Sequence, residues 1–524
     1  MCSVDREFVD SPRRLLVAVM WVMAAAASGL SAALAGTADE ASARATGRFA
    51  SMIVSHFDHV LPTGVDVYGD DHSALWLASI DLRAGGQNER ITEASRRVYR
   101  RIHAPRGSNL YWDLPTIVSA HRLSQITGNA AYSAACDAYI DAFLERCVSP
   151  QNGLFLWGNH LWYHVFDDRM EKIGHPSYEA RPLPVNWDAF WDRHPDATAR
   201  CIRAMGTFHV TNRETGSFDR HAKTTVRDYR PTEADVQASY PFLEAGGVIA
   251  ESLCWLAARD PDDREELIDL ALRIGRYSAA QCNEETGLVR NQPVQRRWDY
   301  RRASSEIGLW GAMLLRCAQL TGNQEFAEIP QPGMLAYLRY GWDEKAGKYY
   351  GSVEVETGQP AKAVKTEPFL PDEYSDIWEP LFPTHDYPME MAEACLSFFE
   401  ATGNAEYRVG AERWVEHIRR SLPARFLSER HAGDWIDGAY AASYGRCIHF
   451  LSRASRVLNE PAHRKLAEQV AEDAIDALYV PSVGAFRSHP GEDVADAVDG
   501  LGVLFLALME LETGADGDLQ GFHF

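Results

Sequence analysis

A chain of 524 residues that is 46% hydrophobic and 24% charged has the composition of a folded globular protein, not of a disordered one. Its 74 acidic residues outnumber 52 basic ones, giving a formal charge of −22. That balance argues against nonspecific binding to nucleic acid or to an anionic membrane, where a basic face supplies most of the affinity. It leaves room for a local basic cleft that holds an acidic glycan, and 14 Trp, 21 Tyr and 21 Phe supply ring faces on which sugars stack.

In chain order, Arg13 and Arg14 precede an apolar run from Leu15 to Leu34, and Ala33-Leu34-Ala35 offers a small-x-small cleavage site before Gly36. Residues 1–35 are expected to be a cleaved signal peptide, followed by a single domain over residues 36–524. No later segment has the apolar length needed to span a bilayer. The mature protein is expected to be exported, either to the periplasm or to the medium. Eight cysteines follow the leader without any C-x-x-C pair, which argues against a cysteine zinc site. Several, such as Cys254 and Cys395, lie in apolar helical text and read as small core residues.

Two elements then alternate. Thr127-Gly128-Asn129, Thr321-Gly322-Asn323 and Thr402-Gly403-Asn404 each end one helix on a glycine and start the next on an asparagine. His194-Pro195-Asp196, Asp260-Pro261-Asp262 and Asn459-Glu460-Pro461 occupy equivalent places. The second element is a glycine leading into a short apolar or aromatic stretch, at Gly107, Gly153, Gly216, Gly287, Gly347, Gly433 and Gly484. Segments with i, i+3, i+4 apolar spacing lie between, such as Val248 to Ala258 and Ile307 to Leu320. Tight turns at one end and glycine-aromatic loops at the other predict an all-α fold, an (α/α)6 or (α/α)7 toroid of helical hairpins whose loop rim forms a cleft. The alternative is an open α-solenoid.

The densest polar-aromatic stretch runs from Leu154 to Arg181 and holds Trp157, His160, His164, Asp167, Asp168, His175, Tyr178 and Glu179. Forty residues on comes Phe218-Asp219-Arg220-His221, directly after a glycine loop. His160, Glu179 and His221 together supply two imidazoles and a carboxylate, a set that suits Mn²⁺, Co²⁺, Ni²⁺ or Zn²⁺ with positions open for substrate. The competing reading, and by composition the commoner outcome, is hydrogen-bonded histidines near a rim. His164 stands four residues after His160, but Trp-Gly-Asn before His160 makes that residue open a segment and leaves His164 to packing. Trp157 and Arg181 are expected to face substrate. So are Trp298, Arg301 and Arg302, in a run from Gln295 to Arg302 where arginines grip carboxylates and Trp298 stacks on a ring. An exposed helix start is the other reading of that run. Asp113, Asp437, Glu379 and the run His385-Asp386-Tyr387 read as loop residues flanking a cleft, and Arg96 to Arg101 as a solvated outer face. No G-x-S-x-G, Walker or G-x-G-x-x-G pattern occurs.

Asn159-His160, Glu179 and the adjacent pair Arg220-His221 resemble the catalytic set of the polysaccharide lyase family 2 pectate lyases. The resemblance implies an (α/α)7 barrel that cleaves polygalacturonate by β-elimination. It further implies a transition-metal ion, manganese first, held by His160, Glu179 and His221, with Arg220 as catalytic base. Arginine is charged at any ordinary pH, so Arg220 is either a guanidinium neutralised beside a metal or a carboxylate binder. The leading expectation is an exported metal-dependent lyase acting on an acidic polysaccharide or oligosaccharide. An (α/α)-barrel glycoside hydrolase with a carboxylate pair such as Asp113 and Asp437, and a noncatalytic glycan-binding toroid, are the alternatives.

Overall fold

The computed structural model describes residues 47–87, 106–158, 161–172, 177–181, 187–225, 240–295, 298–362, 374–378, 386–425 and 438–514. Thirteen helices of ten residues or more occur among them: α1 (Arg48–Val60), α2 (Leu110–Thr127), α3 (Ala130–Arg146), α4 (Pro195–Phe208), α5 (Leu243–Arg259), α6 (Arg264–Ala279) and α7 (Glu306–Thr321), then α8 (Gln331–Tyr340), α9 (Pro388–Thr402), α10 (Ala405–Ser421), α11 (Ala441–Val457), α12 (Pro461–Leu478) and α13 (Leu501–Thr513). No helix among the described residues is long and apolar enough to cross a membrane.

The Thr-Gly-Asn turns share one hydrogen-bond pattern. In each, the threonine hydroxyl donates to the carbonyl four residues back and accepts from the asparagine amide. The asparagine side chain accepts from the amide two residues on, which at Asn129 and Asn404 caps the next helix. At the other end of the hairpins, α3, α4, α6, α8 and α12 each run into a short antiparallel turn. The glycines of those turns, Gly153, Gly216, Gly287, Gly347 and Gly484, have φ between 65° and 79°. That left-handed region is open to glycine at little cost. Gly107 differs from this pattern: it lies in a strand paired with Tyr163-His164. Gly433 and the Arg96–Arg101 run lie outside the described residues, as does the expected signal peptide.

Burial separates an inner ring from an outer one. Every residue of α5 from Leu243 to Ala257 is buried, and so is every residue of α13 from Leu501 to Leu511. By contrast α6 buries only a stripe that includes Leu267, Leu270, Ala271 and Ile274. The inner helices α2, α13, α11, α9, α7 and α5 pack against one another in that order. Glycines set the crossings: a Cβ on Gly502 of α13 would sit 2.2 Å from the Pro115 backbone in α2, and one on Gly308 of α7 would sit 2.5 Å from Met391 Cα in α9. The fold is thus an all-α toroid of hairpins. Between α2 and α5 two outer helices, α3 and α4, follow one another, and extended segments at 154–158 and 177–181 fill the ring.

Seven of the eight cysteines are buried and none is disulfide-bonded. Asp113 corrects the loop expectation, because it lies in the first turn of α2. The Trp298–Arg301 segment is a single 3₁₀ turn leading into a strand at Arg302–Ser304, not a helix start.

Candidate active site on the inner-helix rim

Glu179 and His221 face each other across a strand pair. Ser177–Glu179 runs antiparallel to His221–Thr225, with Glu179 opposite His221 and a register shift between Ser177 and Glu179. Directly opposed residues project to the same face, and His221 Nε2 lies 3.1 Å from Glu179 Oε1. Asp219 builds the turn that presents the histidine: its Oδ1 accepts from the amides of His221 at 2.9 Å and Tyr240 at 3.2 Å. The Arg220 amide donates to the Tyr240 carbonyl, and the Ala180 amide donates to the Arg220 carbonyl. Three chain segments are therefore stitched together around residues 179, 220 and 240.

Arg220 sits between two carboxylates. Its Nε is 3.6 Å from Glu179 Oε1, and its Nη1 is 3.7 Å from Glu244 Oε1. The guanidinium carbon lies 5.0 Å from the Phe242 ring centre and 5.7 Å from that of Tyr240. Carboxylates and ring faces are the partners a guanidinium fork packs against. His221 is held below the ordinary imidazole value, first by burial and then by the Arg220 charge, against the opposing pull of Glu179. It is therefore a neutral nitrogen donor at neutral pH.

Beneath this layer Glu244, in the first turn of α5, lies 3.3 Å from Arg181 Nη1, and both side chains are 0% exposed. Tyr387, which caps α9, donates its hydroxyl to the second oxygen of Glu244. Glu306, in the first turn of α7, accepts from the Glu244 amide at 3.0 Å. Burial first and Glu244 second push Glu306 well above the carboxylate range, so it holds a proton.

Glu179 and His221 offer a carboxylate oxygen and a neutral imidazole nitrogen to one point, donors that suit a divalent transition-metal ion. Among the described residues no three His, Cys, Asp or Glu converge as a metal-holding group. His160 lies outside the described residues. The backbone leading to it does not: a Cβ on Gly158 would stand 3.1 Å from Glu179 Oε2, and the Gly158 carbonyl accepts from Asn109.

The other expected residues are scattered. Trp157 is buried against Tyr111, and Arg181 has no surface to offer a sugar. Arg301 is exposed, whereas Arg302 is buried on Glu354 and the Lys362 carbonyl. The Trp298 side chain, His175, Glu379, His385 and Asp437 lie outside the described residues. His164 packs at the edge of Phe166, with Asp167 at 3.4 Å. Asp113 accepts from Ser108, Tyr139 and the Asn109 amide at 2.9 Å each, far inside the fold. Sequence reasoning missed Glu244, Glu306 and Tyr240 as site residues, and placed Tyr387 only in a loop walling the cleft. A faint signal existed: Leu243-Glu244-Ala245-Gly246-Gly247 and Ser305-Glu306-Ile307-Gly308 each put a lone acid at the head of an apolar, glycine-bearing helix.

Fold and cluster together define an all-α toroid with a carboxylate, an imidazole and a guanidinium gathered on one rim. Residues 117–249, which contain Glu179, Arg220, His221 and Glu244, match the sequence model of a family described as periplasmic pectate lyase. The resemblance holds over that stretch, about a quarter of the chain, and supports a carbohydrate-processing enzyme. Solved structures similar to this chain include an unsaturated glucuronyl hydrolase from Streptococcus agalactiae, at 11% identity and a TM-score of 0.46 over 82% of this chain and 97% of that one. A family 76 glycoside hydrolase from a bovine Bacteroides thetaiotaomicron strain matches at 10% identity and 0.43, over 89% and 77%. A D-mannose isomerase matches at 8% identity and 0.44, over 72% and 98%. No curated protein matches the sequence.

Proposed function

We propose that this protein is an exported, metal-dependent polysaccharide lyase that cleaves a uronate-containing glycan by β-elimination, with pectate or oligogalacturonate as the simplest substrate. The observation that carries the reading is the convergence of Glu179, His221 and Arg220, within 3.6 Å of one carboxylate oxygen, inside the stretch that matches the pectate lyase family. The description of that family as periplasmic supports export.

In the reaction the proton on C5 leaves, the C4–O bond breaks, a C4=C5 double bond forms, and the departing oxygen takes up a proton. The C5 proton is poorly acidic, so the uronate carboxylate beside it must be neutralised while charge builds up. When bound, a Mn²⁺, Co²⁺, Ni²⁺ or Zn²⁺ ion held by His160, Glu179 and His221 supplies that neutralisation as a Lewis acid. Arg220 faces the same place. Its two carboxylate neighbours and two ring faces support the charged, carboxylate-binding role over that of base. Asp219 and Tyr240 hold the Arg220-His221 backbone in register.

The test is ultraviolet absorbance of unsaturated uronate when mature protein is mixed with polygalacturonate and Mn²⁺. A rise abolished by chelation and by His221→Ala supports the lyase. Reducing ends released without that absorbance would assign a hydrolase instead, and binding without turnover a glycan-binding toroid.

A further inference from the structure

Glu179 is asked to do two things at once. Its Oε1 is the atom nearest both His221 Nε2, at 3.1 Å, and Arg220 Nε, at 3.6 Å. A carboxylate that ligates a cation has less charge to give a neighbouring guanidinium. Something else must then fix Arg220.

We infer that Glu244 is the positioning residue of this centre, the buried carboxylate that aims Arg220 at the substrate and keeps it aimed when Glu179 is engaged. The inference rests on the lyase reading given above. Glu244 is fixed from four directions. Its Oε1 faces Arg181 Nη1 at 3.3 Å and Arg220 Nη1 at 3.7 Å. Its Oε2 accepts from the Tyr387 hydroxyl, and its own amide donates to Glu306. The 177–181 segment, the 219–221 turn and the cap of α9 hold the carboxylate, and the first turn of α7 holds the backbone that carries it.

Charge explains why two arginines share it. A fully buried carboxylate requires compensating charge. Arg181, equally buried, supplies it from 3.3 Å, its Nη1 facing Glu244 Oε1. Arg220 is 12% exposed, so it reaches Glu244 with one nitrogen and keeps a donor edge at the surface. Arg181 therefore neutralises Glu244, and Glu244 orients Arg220. This ordering assigns Arg181 to the support of the site rather than to the glycan.

The test compares wild type with Glu244→Gln, Glu244→Asp, Tyr387→Phe and Arg220→Lys. Arginine side chains are labelled with ¹⁵N, and the Arg220 Nε–H signal is identified by its loss in Arg220→Lys. In Glu244→Gln that signal should move and exchange faster with solvent, while calorimetric Mn²⁺ binding persists. On polygalacturonate, kcat should fall on the order of 100-fold, the size expected for a displacement of about 1 Å, with KM changed by less than about threefold. Glu244→Asp should recover part of the loss. An Arg220 signal unmoved in Glu244→Gln overturns the inference. So does wild-type kcat in that variant. If wild type performs no elimination on any uronate, the lyase reading falls, and the arginine signal alone decides the role of Glu244. Should Glu244→Gln fail to fold, Tyr387→Phe and Glu244→Asp replace it, and an Arg220 signal unmoved in both is the overturning result.

Discussion

Arg181 and Glu244 form an ion pair, 3.3 Å between Nη1 and Oε1, with neither side chain exposed to solvent. The pair ties the 177–181 segment to the first turn of α5, while the Arg181 guanidinium lies 5.8 Å from the Tyr111 ring in the first turn of α2. One side chain therefore bridges two inner helices at the point where the ring is completed by extended chain. Removing one member of a buried pair strands the other charge and costs about 3–5 kcal/mol. Arg181→Met should lower stability by that order in denaturant unfolding. A variant with wild-type stability and a raised KM would instead return Arg181 to the glycan.

Loss of either described donor of the proposed metal set should show in binding as well as in turnover. Groups that only orient a metal ligand are worth about 10–100-fold in affinity, so His221→Ala or Glu179→Gln should weaken Mn²⁺ by more than that. Calorimetric titration of the folded variants checks it. Unchanged affinity in both would place the metal elsewhere.

Arg220→Lys keeps the positive charge but loses the planar fork. With the carboxylate-binding role, kcat should fall on the order of 100-fold, the worth of one charge-assisted hydrogen bond that strengthens in the transition state, KM should change little, and the pH optimum should stay where it is. Lysine gives up its proton at lower pH than arginine. An optimum displaced toward acid by more than about one unit would therefore assign proton transfer to this position.

Asp113 carries a pH signature of its own. Burial raises its carboxyl to about 7, although Tyr139, Ser108 and the Asn109 amide all hydrogen-bond to it. The folded state thus holds a proton that the unfolded chain releases near pH 4. Stability from this group is complete below about pH 4 and is lost as the pH climbs to about 7. About three pH units correspond to a ceiling on the order of 4 kcal/mol. Asp113→Asn should remove that slope, seen as a wild-type-minus-variant difference in unfolding free energy that falls between pH 4 and 7. A difference that stays flat would show the carboxyl ionised throughout.

The repeat was legible because its signals are local. A threonine, a glycine and an asparagine in sequence make the same hydrogen-bonded turn at residues 127–129, 321–323 and 402–404, whatever lies around them. His221 and Glu179 were legible as a pair only through the company they keep in the sequence. Their approach depends on a strand register between segments 42 residues apart, which neither segment specifies alone. Arg181 and Trp157 show the opposite failure. Both stand in a stretch dense with polar and aromatic residues, and both turn out to be buried. Residue type cannot tell an arginine that meets a carboxylate in the core from one that meets a sugar, because the same guanidinium chemistry serves either partner.

By itself the sequence determined the helical-hairpin repeat, its two kinds of turn and the residues from which the rim chemistry is assembled. Caps, glycines and apolar spacing act within a few residues and need no tertiary context. Only the tertiary structure decided that Glu244 and Arg181 are sealed beneath that rim, that Tyr387 reaches Glu244 across 143 residues, and that Asp113 belongs to the core. Those outcomes follow from closing a ring. Closure brings the first turns of several inner helices to one place, and the charges carried there are buried together and must pair or hold a proton.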